Sequence, residues 1–177
     1  MQKLAASDMI KALSHLSHLL PKNKQVRLIA GGGGAMVLAH SFPLATSDID
    51  AVPTNFDGND FDVYVKQVAR DLNLPGDWLN PYFSTFSHVL PLDYETRLIR
   101  VFNSPTLVMD ALGQTDLLVM KCFAHRSKDI SHAKALIQGG ADLKIVEARI
   151  EALKSRRIPG CRQAFEFLDE IIEMTEE

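Results

Sequence analysis

The stretch LIAGGGGAMVLAHSFPLATSDIDAV, residues 28–52, decides the expected fold. It opens on an apolar run typical of a short strand, passes through four glycines (Gly31 to Gly34), and continues into a segment typical of a helix. A strand, a glycine turn and a helix in this order point backbone N–H groups at a bound anion. A second apolar run, Ile49 to Val52, predicts another strand that carries acidic residues at its start.

The acidic residues are Asp48 and Asp50, which flank the apolar residue Ile49. Successive side chains of a strand point to opposite faces, so both carboxylates are expected on one face and Ile49 in the core. Two close anions repel each other unless a cation lies between them, and Mg²⁺ combines oxygen ligands with substrate phosphates. Either feature alone is more often a solvated acid pair or an ordinary loop. Their close spacing along the chain favours a metal and phosphate site.

The remaining hydrophobic periodicity predicts a mixed α/β N-terminal part and a helical C-terminal part. Helices are expected over residues 7–20, 35–40, 61–72, 131–137, 143–153 and 162–174, and further strands over 26–30, 83–92 and 96–102. We therefore expect an α+β fold in which a small mixed sheet carries helices on one side. Its core spans residues 1–103, and a helical region, 104–177, packs on that core to form one compact unit.

Composition places the chain among ordinary globular proteins. It has 177 residues, of which 46% are hydrophobic and 23% charged, enough to bury a core. The net charge of −3 argues against a module that binds nucleic acid by its overall charge. Cys122 and Cys161 lack the spacing of metal ligands, which is typical of a reducing compartment. Since no apolar stretch reaches the ~18 residues of a membrane span, we expect a cytoplasmic protein without membrane contact.

Residues 28–52 resemble the signature of the polymerase-β-like nucleotidyltransferase superfamily: an apolar residue, glycine with a small residue, a spacer, and Asp-apolar-Asp. The stretch Ala45–Asp50 is similar to bacterial AbiEii-like members. Asp77-Trp78-Leu79-Asn80 looks like a motif of uncharacterised bacterial relatives, and residues 116–129 look like the AbiEii-type helical motif. The resemblance covers roughly residues 26–140.

The resemblance implies a site for an NTP and Mg²⁺ or Mn²⁺. Asp48 and Asp50 would be both metal ligands and catalytic residues, and Asp129 would orient one of the basic side chains. The nucleotide-binding residues would be Gly32, Gly33, Gly34, Thr46, Ser47, Lys121, Arg126 and Lys128. From the residues alone, Lys121 is as readily a solvated helix lysine, and the basic cluster a helix end that complements its dipole.

Two positions depart from the superfamily pattern. Leu44 stands where relatives often carry a basic residue before Ala-Thr. The third carboxylate that a full catalytic set carries on a later strand has only Asp93 and Glu95 as candidates, and both lie near a probable turn. The resemblance therefore leaves the third acid open.

The function expected from these features is Mg²⁺-dependent transfer of a nucleoside monophosphate from an NTP to a hydroxyl of RNA, protein or a small molecule. The AbiEii resemblance implies a component of a toxin–antitoxin or phage-defence pair, with a cognate partner protein. The alternative is a catalytically degenerate protein of the same fold that binds a nucleotide or a partner. A third interpretation, a module that contacts DNA, is disfavoured by the net charge.

Overall fold

The structure is a computed structural model that describes residues 3–43 and 45–176. Its helices are α1 (Ala6–Leu19), α2 (Gly32–Ala39), α3 (Gly58–Leu72), α4 (Phe83–Phe86), α5 (Gln114–Ala124), α6 (Asp129–Gln138), α7 (Leu143–Ser155) and α8 (Cys161–Glu176). Its strands are β1 (Val26–Gly31), β2 (Ile49–Pro53), β3 (Leu79–Asn80), β4 (Ile99–Asn103) and β5 (Leu107–Ala111), and short 3-10 helices cover Ser87–Val89 and Tyr94–Arg97. None of the helices in the described part of the chain is both long and apolar enough to cross a membrane.

The chain divides into two compact units. The first consists of residues up to Ser84 together with Leu98–Leu112, and the second of Thr85–Arg97 together with the residues from Gly113 onward. The first unit contains the whole sheet, and the second contains α5 to α8. The α+β class, with a small mixed sheet and a C-terminal helical region, is therefore confirmed.

The first unit is built on a sheet with the strand order β3-β2-β1-β5-β4. The central strand β1 is antiparallel to β2 and parallel to β5, while β3 pairs parallel with β2 and β4 antiparallel with β5. One face of the sheet packs with the apolar faces of α1 and α3 in a common core. The strand residues in that core are Val26, Leu28, Ala30, Ile49, Ala51, Leu79, Leu107 and Met109.

The short edge strand β3 is fixed by the residue that precedes it. Trp78 is fully buried in the core of the first unit, and its indole Nε1 donates to the carbonyl of Val65 on α3 at 3.0 Å. The carbonyl of Trp78 accepts from the N–H of Ile49 at 2.7 Å. Because Trp78 is held by both α3 and β2, the two residues of β3 have a defined register beside β2. Trp78 is therefore an anchor of the core of the first unit.

The second unit is a helical cluster around α5. Every residue of α5 from Thr115 to Phe123 is buried, which is typical of a helix covered on all sides. Helices α6, α7 and α8 contact it. The helix α8 is amphipathic and buries Cys161, Ala164, Phe167, Leu168 and Ile171.

The predicted strand over residues 83–92 is wrong. The carbonyl of Pro81 accepts from the N–H and the hydroxyl of Ser84 at 2.9 and 2.8 Å, and this turn starts α4 and the 3-10 helix that follows. The predicted strand over 96–102 is shifted, because β4 spans Ile99–Asn103.

Residues 106–112, assigned by the sequence analysis to the helical region, contain strand β5, which is hydrogen-bonded to β1 and β4. The predicted boundary after residue 103 therefore falls between two paired strands. In the structure the C-terminal helices begin at Gln114.

Candidate functional site

The glycine run starts a helix directly. The strand β1 ends at Gly31 and α2 begins at Gly32, whereas the sequence predicted a glycine turn followed by a helix from Ala35. Gly32 has a φ of +59°, a left-handed conformation that glycine adopts at little cost. The first N–H groups of a helix lack intrahelical partners. The residues of this first turn are glycines and carry no side chains of their own. Their backbone N–H groups are therefore in a position to bind an anion.

The absence of side chains in this turn is explained by the segment that crosses it. A Cβ atom on Gly32 would lie 1.9 Å from Oδ2 of Asp50, and one on Gly33 would lie 2.5 Å from Oγ1 of Thr46. The antiparallel register of β1 and β2 sets Gly31 opposite Asp50. Of the predicted site residues, the structure thus brings together the glycines, Thr46 and Asp50.

The two acids lie on the sheet face opposite the core. Ile49 and Ala51 are buried in the core, and Asp50 between them is half-buried. Asp48, just before β2, is also half-buried, and its Oδ2 accepts from Nδ2 of Asn80 at 3.0 Å. Its Oδ1 accepts from the hydroxyl of Ser47 at 3.3 Å. The prediction that Ile49 faces the core is confirmed.

Asn80 is the site residue that the sequence analysis missed. The parallel register of β2 and β3 sets Asn80 opposite Asp50, and its side chain bonds Asp48. The signal in the sequence is the last residue of Asp77-Trp78-Leu79-Asn80, a motif that indicates a family resemblance but not the role of Asn80. Pairing between two strands so far apart in the chain cannot be read from either segment alone.

The two predicted candidates for a third carboxylate lie in the second unit. Asp93 is mostly exposed and forms a two-point ion pair with Arg97 at 2.7 and 2.9 Å, which lowers the pKa of this carboxyl. Glu95 lies in the 3-10 helix Tyr94–Arg97 and is exposed. Arg97 also holds the buried carboxylate of Asp116 at 2.8 Å. Asp93 is thus part of an ion-pair network inside the second unit.

A further acid on a later strand is Asp110, which the sequence analysis overlooked between the apolar residues of β5. It lies opposite Ile29 on β1 and Arg100 on β4. Its carboxylate is buried and bonds Arg100, and it also accepts from Nε of Arg27 at 3.3 Å. The pKa of Arg100 is raised by its bond to Asp110. Asp110 therefore forms ion pairs with two arginines.

The chemistry of the donor set fits a hard divalent cation. Asp48 and Asp50 supply carboxylate oxygens, and Mg²⁺ in proteins is held by one or two carboxylates with substrate phosphates and water. Across residues 3–43 and 45–176, no three histidine, cysteine, aspartate or glutamate side chains lie close enough to hold a metal ion alone. The residues present thus suit a cation that a bound phosphate would help to hold.

The predicted basic residues lie in the second unit, on α5 and on the connection to α6. Lys121 is 3% exposed, and its Nζ donates to Oδ1 of Asp129 at 2.6 Å. Arg126 donates to Oδ2 of the same carboxylate at 2.7 Å, and Lys128 is exposed. Asp129 therefore orients Lys121 and Arg126. Contact of these cations with a triphosphate stays a prediction.

A sequence model of a protein family, described as nucleotidyltransferases of unknown function (DUF6036), matches residues 7–167. The chain belongs to this nucleotidyltransferase family. No curated protein and no solved structure matches the chain.

The residues matched by the nucleotidyltransferase family model include those of the candidate site. The match spans the glycine turn, both acids, Asn80 and the cluster around Asp129. Cys122 is also within it, but burial raises the pKa of its thiol to about 12. A thiol held neutral in this way is a poor nucleophile, so the chemistry of this family member is expected to rest on its oxygen and nitrogen groups.

His132 beside Asp129 gives the second unit a predicted pH dependence. Burial and the nearby charge of Lys121 lower the pKa of His132 to about 4, against about 6.5 in the unfolded chain. The unfolded state then binds a proton that the folded state does not, so stability is complete above pH 6.5 and declines as the pH falls towards 4. Urea unfolding from pH 7 to 4 should show this decline, and His132→Asn should flatten it. An unchanged profile in His132→Asn would show that His132 is not the group responsible.

Proposed function

We propose that the chain is a Mg²⁺-dependent nucleotidyltransferase that transfers a nucleoside monophosphate from an NTP to a hydroxyl group. The observation that carries the proposal is the carboxylate of Asp50 packed against Gly32 at the start of α2. A carboxylate that would hold a cation therefore lies at a helix N-terminus, and both a bound cation and a helix N-terminus attract phosphate.

The reaction requires two tasks of the chain's own residues. The backbone N–H groups of the glycine turn bind the phosphates, with Thr46 and Ser47 as further hydroxyl donors. Asp48 and Asp50 would hold the cation, which when bound would neutralise charge on the phosphates. The acceptor oxygen would then form a bond to the α-phosphorus while the bond to pyrophosphate breaks, and the hydroxyl proton would pass to solvent water.

The acceptor is proposed to be a hydroxyl of RNA, protein or a small molecule. Support for a toxin–antitoxin or phage-defence role, with a cognate partner protein, comes from the AbiEii-like stretch Ala45–Asp50 and from the helical motif over residues 116–129. This support is a resemblance of sequence, and site chemistry is shared by proteins of many roles.

A second candidate function is nucleotide binding without catalysis. It is favoured by one specific observation: the residue beside Asp50 on the neighbouring strand is Asn80, an amide that can neither add charge to hold a second cation nor accept a proton as a base. Release of pyrophosphate on incubation with NTP, Mg²⁺ and acceptor RNA or protein separates the two candidates.

The proposal predicts a Mg²⁺-dependent rise in melting temperature with at least one NTP. A ligand at 100 times its Kd adds about 2.7 kcal/mol of stability, which is roughly 5–10 °C for a chain of this length. Asp50→Asn should remove the rise, because it removes one carboxylate from the cation. Asp62→Asn is the matched control: Asp62 forms an ion pair with the exposed Lys66 on α3, and this substitution should leave the rise intact.

Differential scanning fluorimetry with ATP, GTP, CTP and UTP, with and without Mg²⁺, measures this rise. The proposal is wrong if no NTP shifts the wild type in the presence of Mg²⁺, or if Asp50→Asn shifts as much as the wild type does.

A further inference from the structure

We propose that Asn80 is a positioning residue that holds the carboxylate of Asp48 in place for the divalent cation. The inference deepens the proposed function and rests on it, because it assigns a task to a residue outside the expected metal ligands. Asn80 is 6% exposed and lies on the strand next to the acids.

The backbone places Asn80 independently of its side chain. The register of β3 with β2 sets Leu79 opposite Ile49 and Asn80 opposite Asp50. Leu79 joins Ile49 in the core, so Asn80 points with Asp50 to the opposite face of the sheet. The buried Trp78 fixes this register. The register of β3 thus places the amide of Asn80 next to the two acids, on a part of the sheet that Trp78 fixes.

The hydrogen bonds of Asn80 define which end of its amide faces Asp48. Oδ1 accepts from the backbone N–H of Tyr82 at 3.0 Å, and a backbone N–H can only donate. The other end must then be Nδ2, which donates to Oδ2 of Asp48 at 3.0 Å and to the carbonyl of Asp77 at 3.4 Å. A flipped amide would lose the bonds at both ends, so the donor towards Asp48 is enforced.

This donor acts on a carboxylate that has little else to hold it. Among residues 3–43 and 45–176, the other hydrogen-bond partner of Asp48 is the hydroxyl of Ser47, at the longer distance of 3.3 Å. Bonds from a neutral donor to an ionised carboxylate are about twice as strong as bonds between neutral groups. Each carboxylate oxygen has two acceptor sites, so Oδ2 keeps one for a cation while Nδ2 occupies the other.

The neutrality of Asn80 also sets the charge of the site. Asp48 and Asp50 together contribute a charge of about −2, which one divalent cation neutralises. An amide orients a ligand without repelling it, as partners of metal ligands do in other proteins, where their loss typically costs about 10–100-fold in metal affinity.

The test is the affinity of the full chain for Mn²⁺ alone, measured by electron paramagnetic resonance of the free ion, without nucleotide. Asn80→Ala should weaken Mn²⁺ binding about 10–100-fold. Asn55→Ala is the matched control: Asn55 also bonds at both ends of its amide, to the N–H of Arg27 and the carbonyl of Gln25, and both of these partners are backbone groups. It should leave Mn²⁺ affinity unchanged.

A double-mutant cycle separates positioning from a general structural role. Asp48→Asn keeps an oxygen ligand but removes the charged acceptor of Nδ2. If Asn80 acts through Asp48, adding Asn80→Ala in that background should change Mn²⁺ affinity less than about twofold. A loss as large as in the wild-type background would overturn the inference, as would unchanged affinity in Asn80→Ala itself.

A smaller substitution covers the case in which Asn80→Ala does not fold. Asn80→Ser retains a polar group at this buried position but is too short to bridge to Asp48, so the same loss of affinity is expected. Failure of the inference is distinguishable from failure of the proposed function. If the wild type binds neither Mn²⁺ nor NTP, both the inference about Asn80 and the proposed function are wrong. If it binds both and the Asn80 variants match it, only the role of Asn80 falls.

Discussion

Gly32→Ala is expected to lose both stability and cation binding. The new Cβ would lie 1.9 Å from Oδ2 of Asp50, and the φ of +59° is one that alanine adopts only with strain. The backbone strain alone costs about 1–2 kcal/mol, and relieving the contact requires Asp50 to rotate away from the turn. The same substitution thus removes a carboxylate from the site, so we expect a lower melting temperature and no Mg²⁺-dependent shift with any NTP.

Gly58→Ala is the control for the Gly32 prediction. Gly58 is the first residue of α3, and a Cβ there would meet no atom within 4 Å. Alanine should be neutral or stabilise this position by up to about 1 kcal/mol, because it reduces the freedom of the unfolded chain. Equal melting temperatures for the two variants would contradict the packing of Asp50 against the glycine turn.

Asp129→Ala is expected to destabilise the second unit by about 3–5 kcal/mol. The carboxylate is fully buried and holds Lys121, which is itself only 3% exposed. Removing it leaves a buried ammonium without this partner, which costs more than the ion pair contributes. Urea unfolding at pH 7 measures the loss. Glu151→Ala, which breaks the exposed pair with Lys154 in the same unit, should have a small effect.

The pKa of Asp129 gives the same prediction a pH signature. Burial raises it, but the bond from Arg126 and the charge of Lys121 outweigh burial, and the net pKa is lowered. The stability that Asp129 contributes is therefore complete above the unfolded pKa of about 4 and is lost as the pH falls through the lower folded value. A loss of unfolding free energy below about 1 kcal/mol at pH 7 in Asp129→Ala would contradict this account. The double variant Asp129→Leu with Lys121→Met removes both charges of the pair, and its failure to recover stability would contradict the account as well.

The sequence predicted the local parts of the site because local rules govern them. The strand, glycines and helix over residues 28–40 and the inward side chain of Ile49 follow from periods of two and 3.6 residues and from the conformational freedom of glycine. The class of fold followed from the order of these elements. The glycine run, which the sequence analysis treated as a turn before the helix, is the first turn of α2, since glycine is penalised in a helix by only about 1 kcal/mol.

The parts that were missed depend on pairing between distant strands. Asn80 becomes a site residue only because β3 lies beside β2 with Asn80 opposite Asp50. Asp110 was overlooked because residues 106–112 contain no turn or glycine signal that marks them as a strand. Its partner Arg27 is far away in the sequence, and its partner Arg100 lies on the neighbouring strand of a hairpin. Registers of this kind are set by the whole sheet, and a single segment does not contain them.

The order of the segments along the chain affects how the protein folds during its synthesis. It leaves the first unit after Ser84, builds Thr85–Arg97 into the second, returns for Leu98–Leu112 and leaves again at Gly113. The central strand β1 gains its neighbour β5 only through the pairing of Val26 with Leu107. A growing chain on the ribosome therefore holds an unfinished sheet edge until β5 emerges, and contacts of such sequence separation form slowly. All segments of the first unit have emerged once Leu112 is made, whereas the second unit combines Thr85–Arg97 with the residues from Gly113 onward, so no single cut in the chain separates the two units.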